Sequence, residues 1–159
     1  ARKKRDKAAA AAAKAAGYYQ RDGNLAACFE SLYLQALALF ENGETGAAEQ
    51  VLRAFLPEAK KQRTSFHIAG AYNLMGLIFL RRREETAAKV WFQEAAALER
   101  KNDRYTAAAA DYANIGLIEL HQGNAEQARK NLQTAVACAE TFGKNGFSRM
   151  LNEKLQKLN

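Results

Sequence analysis

Residues 112–135 read YANIGLIELHQGNAEQARKNLQTA. On both sides of Gly123-Asn124 the apolar and small residues return every three or four positions, the spacing of an amphipathic helix. A Gly-Asn pair between two such runs marks a tight turn. The stretch therefore predicts a helical hairpin.

Forty residues earlier, 72–95 read YNLMGLIFLRRREETAAKVWFQEA. Tyr72 aligns with Tyr112, Met75 with Ile115, Gly76 with Gly116, Ala88 with Ala128, Phe92 with Leu132 and Ala95 with Ala135. Another forty residues back lie Leu32, Ala36, Leu39, Gly43, Ala48, Leu52 and Phe55, a weaker copy in the same register. A fixed period of this size, without insertions, signals a solenoid. Small residues at 36, 76 and 116 and at 48, 88 and 128 let two antiparallel helices approach closely while large neighbours fill the grooves.

These residues resemble the tetratricopeptide repeat (TPR), an aromatic, two residues, Leu-Gly, two residues and an aromatic, then Ala, Phe and Ala on a second helix. Tyr72, Gly76, Phe79, Ala88, Phe92 and Ala95 match best. Tyr112, Gly116, Ala128, Leu132 and Ala135 match well, with Glu119 where an aromatic is usual. The first copy has Leu32 and Ala36 for the aromatic and Gly, and the closing Pro is missing. The usual period is 34, so the chain looks like the long-repeat subclass, similar to kinesin light chains and Rap-type regulators. The resemblance implies an all-α, right-handed helical-hairpin superhelix. Three repeats (about 24–63, 64–103 and 104–142) are flanked by a basic, Ala-rich N-terminal cap helix with a linker (1–23) and a C-terminal cap helix (143–159).

Composition agrees with that fold. Pro occurs once in 159 residues, no period-two alternation stands out, and the length suits one domain. No apolar run approaches a membrane span, and the basic opening leads into alanines rather than a signal-peptide core. Cys28 and Cys138 lie near opposite ends of the repeat array, too far apart to bridge in a solenoid. Two unpaired thiols fit a reducing, cytoplasmic setting. The net charge of +7 is concentrated at the start. Residues 1–14 hold six Lys/Arg against one Asp, and the rest holds 18 basic against 16 acidic residues.

In the forty-residue register ARKKRDKAAAAAAKAA occupies the place of a second helix preceding the first repeat, with Ala8, Ala12 and Ala15 where Ala48, Leu52 and Phe55 sit later. Residues 2–7 read as the frayed basic end of a capping helix; the alternative is a segment beside an anionic membrane surface, following a removed membrane helix. Gly17–Gly23 predicts a break, with Asp22 or Asn24 as the next N-cap. Pro57 predicts that its helix kinks or ends near Leu56. Arg81-Arg82-Arg83 and Glu84-Glu85 suit a helix C-terminus followed by a helix N-terminus. Gly143–Gly146 predicts a second break, and Phe147, Leu151, Leu155 and Leu158 form one apolar face of a last helix.

No catalytic constellation is present. His67 and His121 are isolated, metal-ligand spacing is absent, and Gly116 and Gly123 belong to the repeat rather than to a phosphate loop. The sequence thus predicts a non-enzymatic chain with no cofactor. The aromatics follow core spacing and are not interleaved with basic residues, so nucleic acid is not an expected partner.

Two surfaces are candidates for binding. The resemblance implies that the first helix of each repeat lines a concave face, which would present Leu37, Leu77 and Leu117 in one column and Phe40, Leu80 and Leu120 in another. Tyr33, Asn73 and Ala113 lie beside them, Asn114 joins the groove, and Glu41, Arg81 and His121 lie towards a rim. These helices are apolar nearly all round, so the leucines are either buried between neighbouring helices or form a groove for a partner's peptide or amphipathic helix. The carboxylate clamp of the chaperone-binding subclass is not implied, because Tyr33, Leu37, Leu74, Ala110 and Asn114 stand at its positions. The Asn ladder of the kinesin light-chain subclass is incomplete, with Leu34 and Leu74 before Asn114. The second surface is a basic ridge at the repeat junctions: Lys60, Lys61 and Arg63, then Arg100, Lys101 and Arg104, weakening to Lys144. It is either a solvated edge or a surface steering an acidic partner. A signalling-peptide sensor and self-association stand as further readings.

Overall fold

A computed structural model describes residues 2–141, 143 and 146–158. Eight helices account for the described secondary structure: α1 (Arg2–Arg21), α2 (Leu25–Glu41), α3 (Thr45–Lys61), α4 (Ser65–Arg81), α5 (Glu85–Lys101), α6 (Tyr105–His121), α7 (Ala125–Glu140) and α8 (Gly146–Gln156). The chain is an all-α helical-hairpin solenoid. Helices α2 to α6 each have 17 residues, about 25 Å of rise, and three residues separate each of them from the next.

The junctions repeat every twenty residues, half the period seen in the sequence. Gly23, Gly43, Arg63, Arg83, Asp103, Gly123 and Gly143 all have positive φ, from 55° at Arg63 to 99° at Gly143. A left-handed residue just past a helix end lets the following N–H groups turn back onto orphan carbonyls. Asn24 N–H donates to Tyr19 O, Glu44 to Leu39, Thr64 to Ala59, Arg104 to Glu99 and Asn124 to Glu119, at 2.8–3.1 Å. The residue that closes one helix then caps the next; Asn24 does so through its side chain, which accepts from Ala27 N–H at 3.2 Å.

Two expectations are corrected. Helix α1 runs through Gly17 to Arg21, so the break is confined to Asp22–Asn24. Gly17 lies inside the helix, one turn before its end, with its carbonyl accepting from Arg21 Nε at 3.2 Å. Helix α3 does not end near Leu56: Pro57 is exposed, and the buried Phe55, Leu56 and Ala59 hold the last turn to Lys61. One lost hydrogen bond on the solvent side is outweighed by that packing. In α1 the buried alanines are Ala9 and Ala16, whereas Ala8 is exposed. Phe142 and Lys144 lie outside the described residues.

The chain divides into two compact units, one ending at Arg82 and one starting at Arg83. In the first, α1 packs on α2, α2 on α3 and on α4, and α3 on α4. Phe29 and Phe55 stack there with centroids 5.9 Å apart. The Tyr33 ring lies against Gly70, where a Cβ would stand 3.4 Å from it. In the second, α5 packs on α6, α6 on α7 and α7 on α8. A Cβ on Gly116 would lie 2.8 Å from Leu132 Cγ, so this crossing requires glycine. Leu151, with Phe147, Leu155 and Leu158, closes the core formed by Ala113, Leu132 and Ala135, as expected of that apolar face.

Candidate functional site

Register dictates how each second-type helix meets the first-type helix that follows. Arg5 of α1 reaches Glu41 (3.6 Å to the carboxylate, 2.9 Å to the carbonyl), and Asp6 accepts from Asn42. At the equivalent places, Arg82 reaches Thr45 at 3.4 Å, and Glu85 accepts from His121 at 2.6 Å and Gln122 at 3.4 Å; Arg82 also pairs with Glu49, one turn further along α3, at 2.7 Å. The charges differ from one pair to the next, but the ladder recurs. It gives Arg82, Glu85 and His121 partners that charge patterning alone did not reveal.

The first-helix residues fall into two sets. On the unit ending at Arg82, Tyr33, Leu37, Phe40, Asn73, Leu77 and Leu80 are half-buried, and Leu34 is 48% exposed. Arg81 is exposed at their edge; its guanidinium lies 3.9 Å over the Phe40 ring and donates to the Phe40 carbonyl, a stacked contact that fixes both side chains. On the unit starting at Arg83, Asn114 and Leu120 are half-buried, Leu117 is 40% exposed, and the His121 ring is 77% exposed. Inward-facing Ala38, Ile78 and Ile118 are buried. The leucine columns are therefore half-covered, neither core nor fully open.

The basic residues at the junctions are anchored differently. Lys60 lies 5.3 Å over the Tyr72 ring, and Arg100 donates to the Tyr112 hydroxyl at 3.4 Å. The same pair recurs forty residues on, with each cation twelve residues before its tyrosine. Lys61 pairs loosely with Glu58 at 3.8 Å, and Arg63 is the left-handed junction residue. Lys101 is exposed. Arg104 turns inward to Glu99 at 2.9 Å; burial pushes the Glu99 carboxyl up, and Arg104 pulls it partly back. Near this pair Arg100, Tyr105, Thr134, Ala137, Cys138 and Thr141 line a hollow of about 410 Å³.

Glu119 accepts from Lys89 at 2.9 Å and Asn124 at 2.8 Å. The Lys89 hydrogen bond, with that of Asn124, holds its carboxyl below the usual range. Cys28 and Cys138 are free and buried, and burial raises both thiols. No helix among the described residues is long and apolar enough to cross a membrane.

The fold has a known counterpart. The crystal structure of BtubC (BKLC) from P. vanneervenii superposes with a TM-score of 0.80 over 97% of this chain, at 18% sequence identity. The match spans 65% of the length of that structure. At this identity the likeness carries the fold. No protein-family model matches the chain, and no curated protein does.

Proposed function

We propose that this chain is a non-enzymatic, cytoplasmic interaction scaffold of the long TPR type, which holds a peptide or amphipathic helix of a partner protein against its first helices. The carrying observation is the half-covered apolar face of Leu34, Leu37, Phe40, Leu77 and Leu80 on the packed pair α2 and α4. A face left partly open on two adjacent helices suits a partner that covers it. Tyr33 and Asn73 supply polar groups at its margin. The buried free thiols accord with a reducing compartment.

The test is affinity capture from native lysate with wild type and with Leu77→Glu/Leu117→Glu, after circular dichroism shows that the variant is folded. Selective loss of one partner from the folded variant is expected. An unchanged set of partners removes the first helices as the binding face. A second reading, contact with an anionic membrane, is favoured by the exposure of Arg2, Lys3, Lys4 and Lys7 on α1. Its expected signature is salt-sensitive binding to phosphatidylserine vesicles.

A further inference from the structure

Helices α2 and α4 pack side by side in the same direction. Their N-terminal ends meet where His67 lies edge-on to Phe29, with centroids 6.2 Å apart. Their C-terminal ends meet where Arg81 covers Phe40. Between them the two helices carry three charged side chains, Glu30, Glu41 and Arg81, all exposed. At the C-terminal ends Glu41 is engaged by Arg5 of α1 at 3.6 Å, which leaves Arg81 to set the sign there. Its guanidinium lies 3.9 Å over the Phe40 ring and donates through Nη1 to the Phe40 carbonyl. Stacking and a hydrogen bond fix the plane of a group rich in N–H donors, so its outer edge is a prepared fork for a carboxylate. At the N-terminal ends the charge is Glu30, whose field reaches His67. The face is therefore positive at one end, apolar along its length and negative at the other.

We propose that this face holds an amphipathic helix of a partner protein in one direction, antiparallel to α2 and α4. Acidic residues in the first turn of that helix sit on Arg81, and basic residues in its last turn lie near Glu30. The inference rests on the first-helix reading above and adds the form, direction and charge of the occupant. The backbone argues for a helix. Between its charged ends the face of Leu34, Leu37, Phe40, Leu77 and Leu80 offers only Tyr33 and Asn73 as polar side chains. An extended segment laid there would lose water from its N–H and C=O groups and find few partners. A helix arrives with those bonds already made. The charges argue for the direction. A helix favours acidic side chains near its N-terminus and basic ones near its C-terminus. In the antiparallel arrangement those same side chains meet Arg81 and Glu30, and the positive pole of the partner lies beside the negative poles of α2 and α4. A parallel helix could reach Arg81 only with acidic residues set against its own negative pole.

The probes are two fluorescein-labelled 17-residue peptides, the length of the chain's own helices, with the same Leu stripe and the same composition. One carries Glu in its first turn and Lys in its last; the other exchanges them. Anisotropy gives the ratio of their Kd values for wild type, Arg81→Gln/Glu30→Gln and Arg81→Glu/Glu30→Lys, each shown to be folded by circular dichroism. The peptides differ in their own helicity, but that difference is common to all three proteins and cancels when the ratios are compared. Wild type should favour the Glu-first peptide. That preference should fall by about fivefold in the neutral variant and further in the exchanged one, as two exposed ion pairs allow. If the exchanged variant does not fold, the neutral one carries the comparison. Binding of both peptides that Leu77→Glu abolishes, at one ratio in every protein, keeps the first-helix face and overturns the direction. A wild-type preference for the Lys-first peptide overturns it as well. Binding of neither peptide, or binding indifferent to Leu77→Glu, overturns the first-helix reading and this inference with it.

Discussion

Two buried glutamates show how one residue type can oppose itself in one unit. Glu119 is held ionised by Lys89 and Asn124, so its folded carboxyl lies below the ordinary value. Its contribution to stability is present above the unfolded value, about 4.3, and is lost as pH falls through the folded one. Glu99 is shifted upward by burial despite Arg104. Its ionisation disfavours the folded state, so stability falls as pH rises through the folded value. Glu119→Gln is expected to cost roughly 1–3 kcal/mol at neutral pH, the cost of weakening a buried charge-assisted pair. In urea titrations from pH 3 to 8, the advantage of wild type over Glu119→Gln should grow with pH up to about 5 and then stay level. Its advantage over Glu99→Gln should shrink. Parallel curves for the two variants would show that neither shift operates.

At the scale of the element, the helix is defined by its junction. Gly23, Gly43, Gly123 and Gly143 take the left-handed position freely, whereas Arg63, Arg83 and Asp103 take the same position with a side chain in the way. A left-handed non-glycine residue costs roughly 1–2 kcal/mol, partly offset in a glycine variant by the greater freedom of its unfolded chain. Arg83→Gly should therefore stabilise by about 0.5–1 kcal/mol, and Gly123→Ala should destabilise by about 1 kcal/mol. Nothing lies within 4 Å of a Cβ placed on Gly123, so a loss there reports backbone conformation alone. A neutral result at both sites in urea melts would contradict the junction argument. The same residues explain what was legible beforehand. The forty-residue period was readable because Gly76/Gly116 and Ala88/Ala128 recur in the sequence. The twenty-residue period was hidden because a backbone conformation recurs while its residue alternates among Gly, Arg and Asp. Gly17 and Pro57 misled for the opposite reason: each is a local breaker overridden by the packing of its helix, Ala16 in α1 and Phe55 to Ala59 in α3. The first-helix surface was readable as a set of columns, but whether Leu37 or Leu77 was core or groove depended on neighbours the sequence does not rank.

At the scale of the molecule, a solenoid is stabilised chiefly between neighbours, so damage should stay near its source. Gly116→Ala is the sharpest local insult available: the new methyl meets Leu132 Cγ at 2.8 Å and the Ala128 carbonyl at 3.3 Å. Leu132 is fully buried among Ala113, Ala135 and Leu151 and has little room to give. Overpacking of this kind costs about 1–3 kcal/mol, which lowers exchange protection by roughly ten- to a hundredfold where that contact is felt. Hydrogen exchange with peptide-level mass spectrometry should show the loss in α6, α7 and α8, the helices joined through Leu132 and its neighbours. Amides of α2 and α3, whose core is built on Phe29, Leu52 and Phe55, should keep wild-type protection. Equal loss in both units would mean that the chain opens as one cooperative body. Loss confined to the second would make each unit its own cooperative body, with the packing of Leu132 felt only by the helices that touch it.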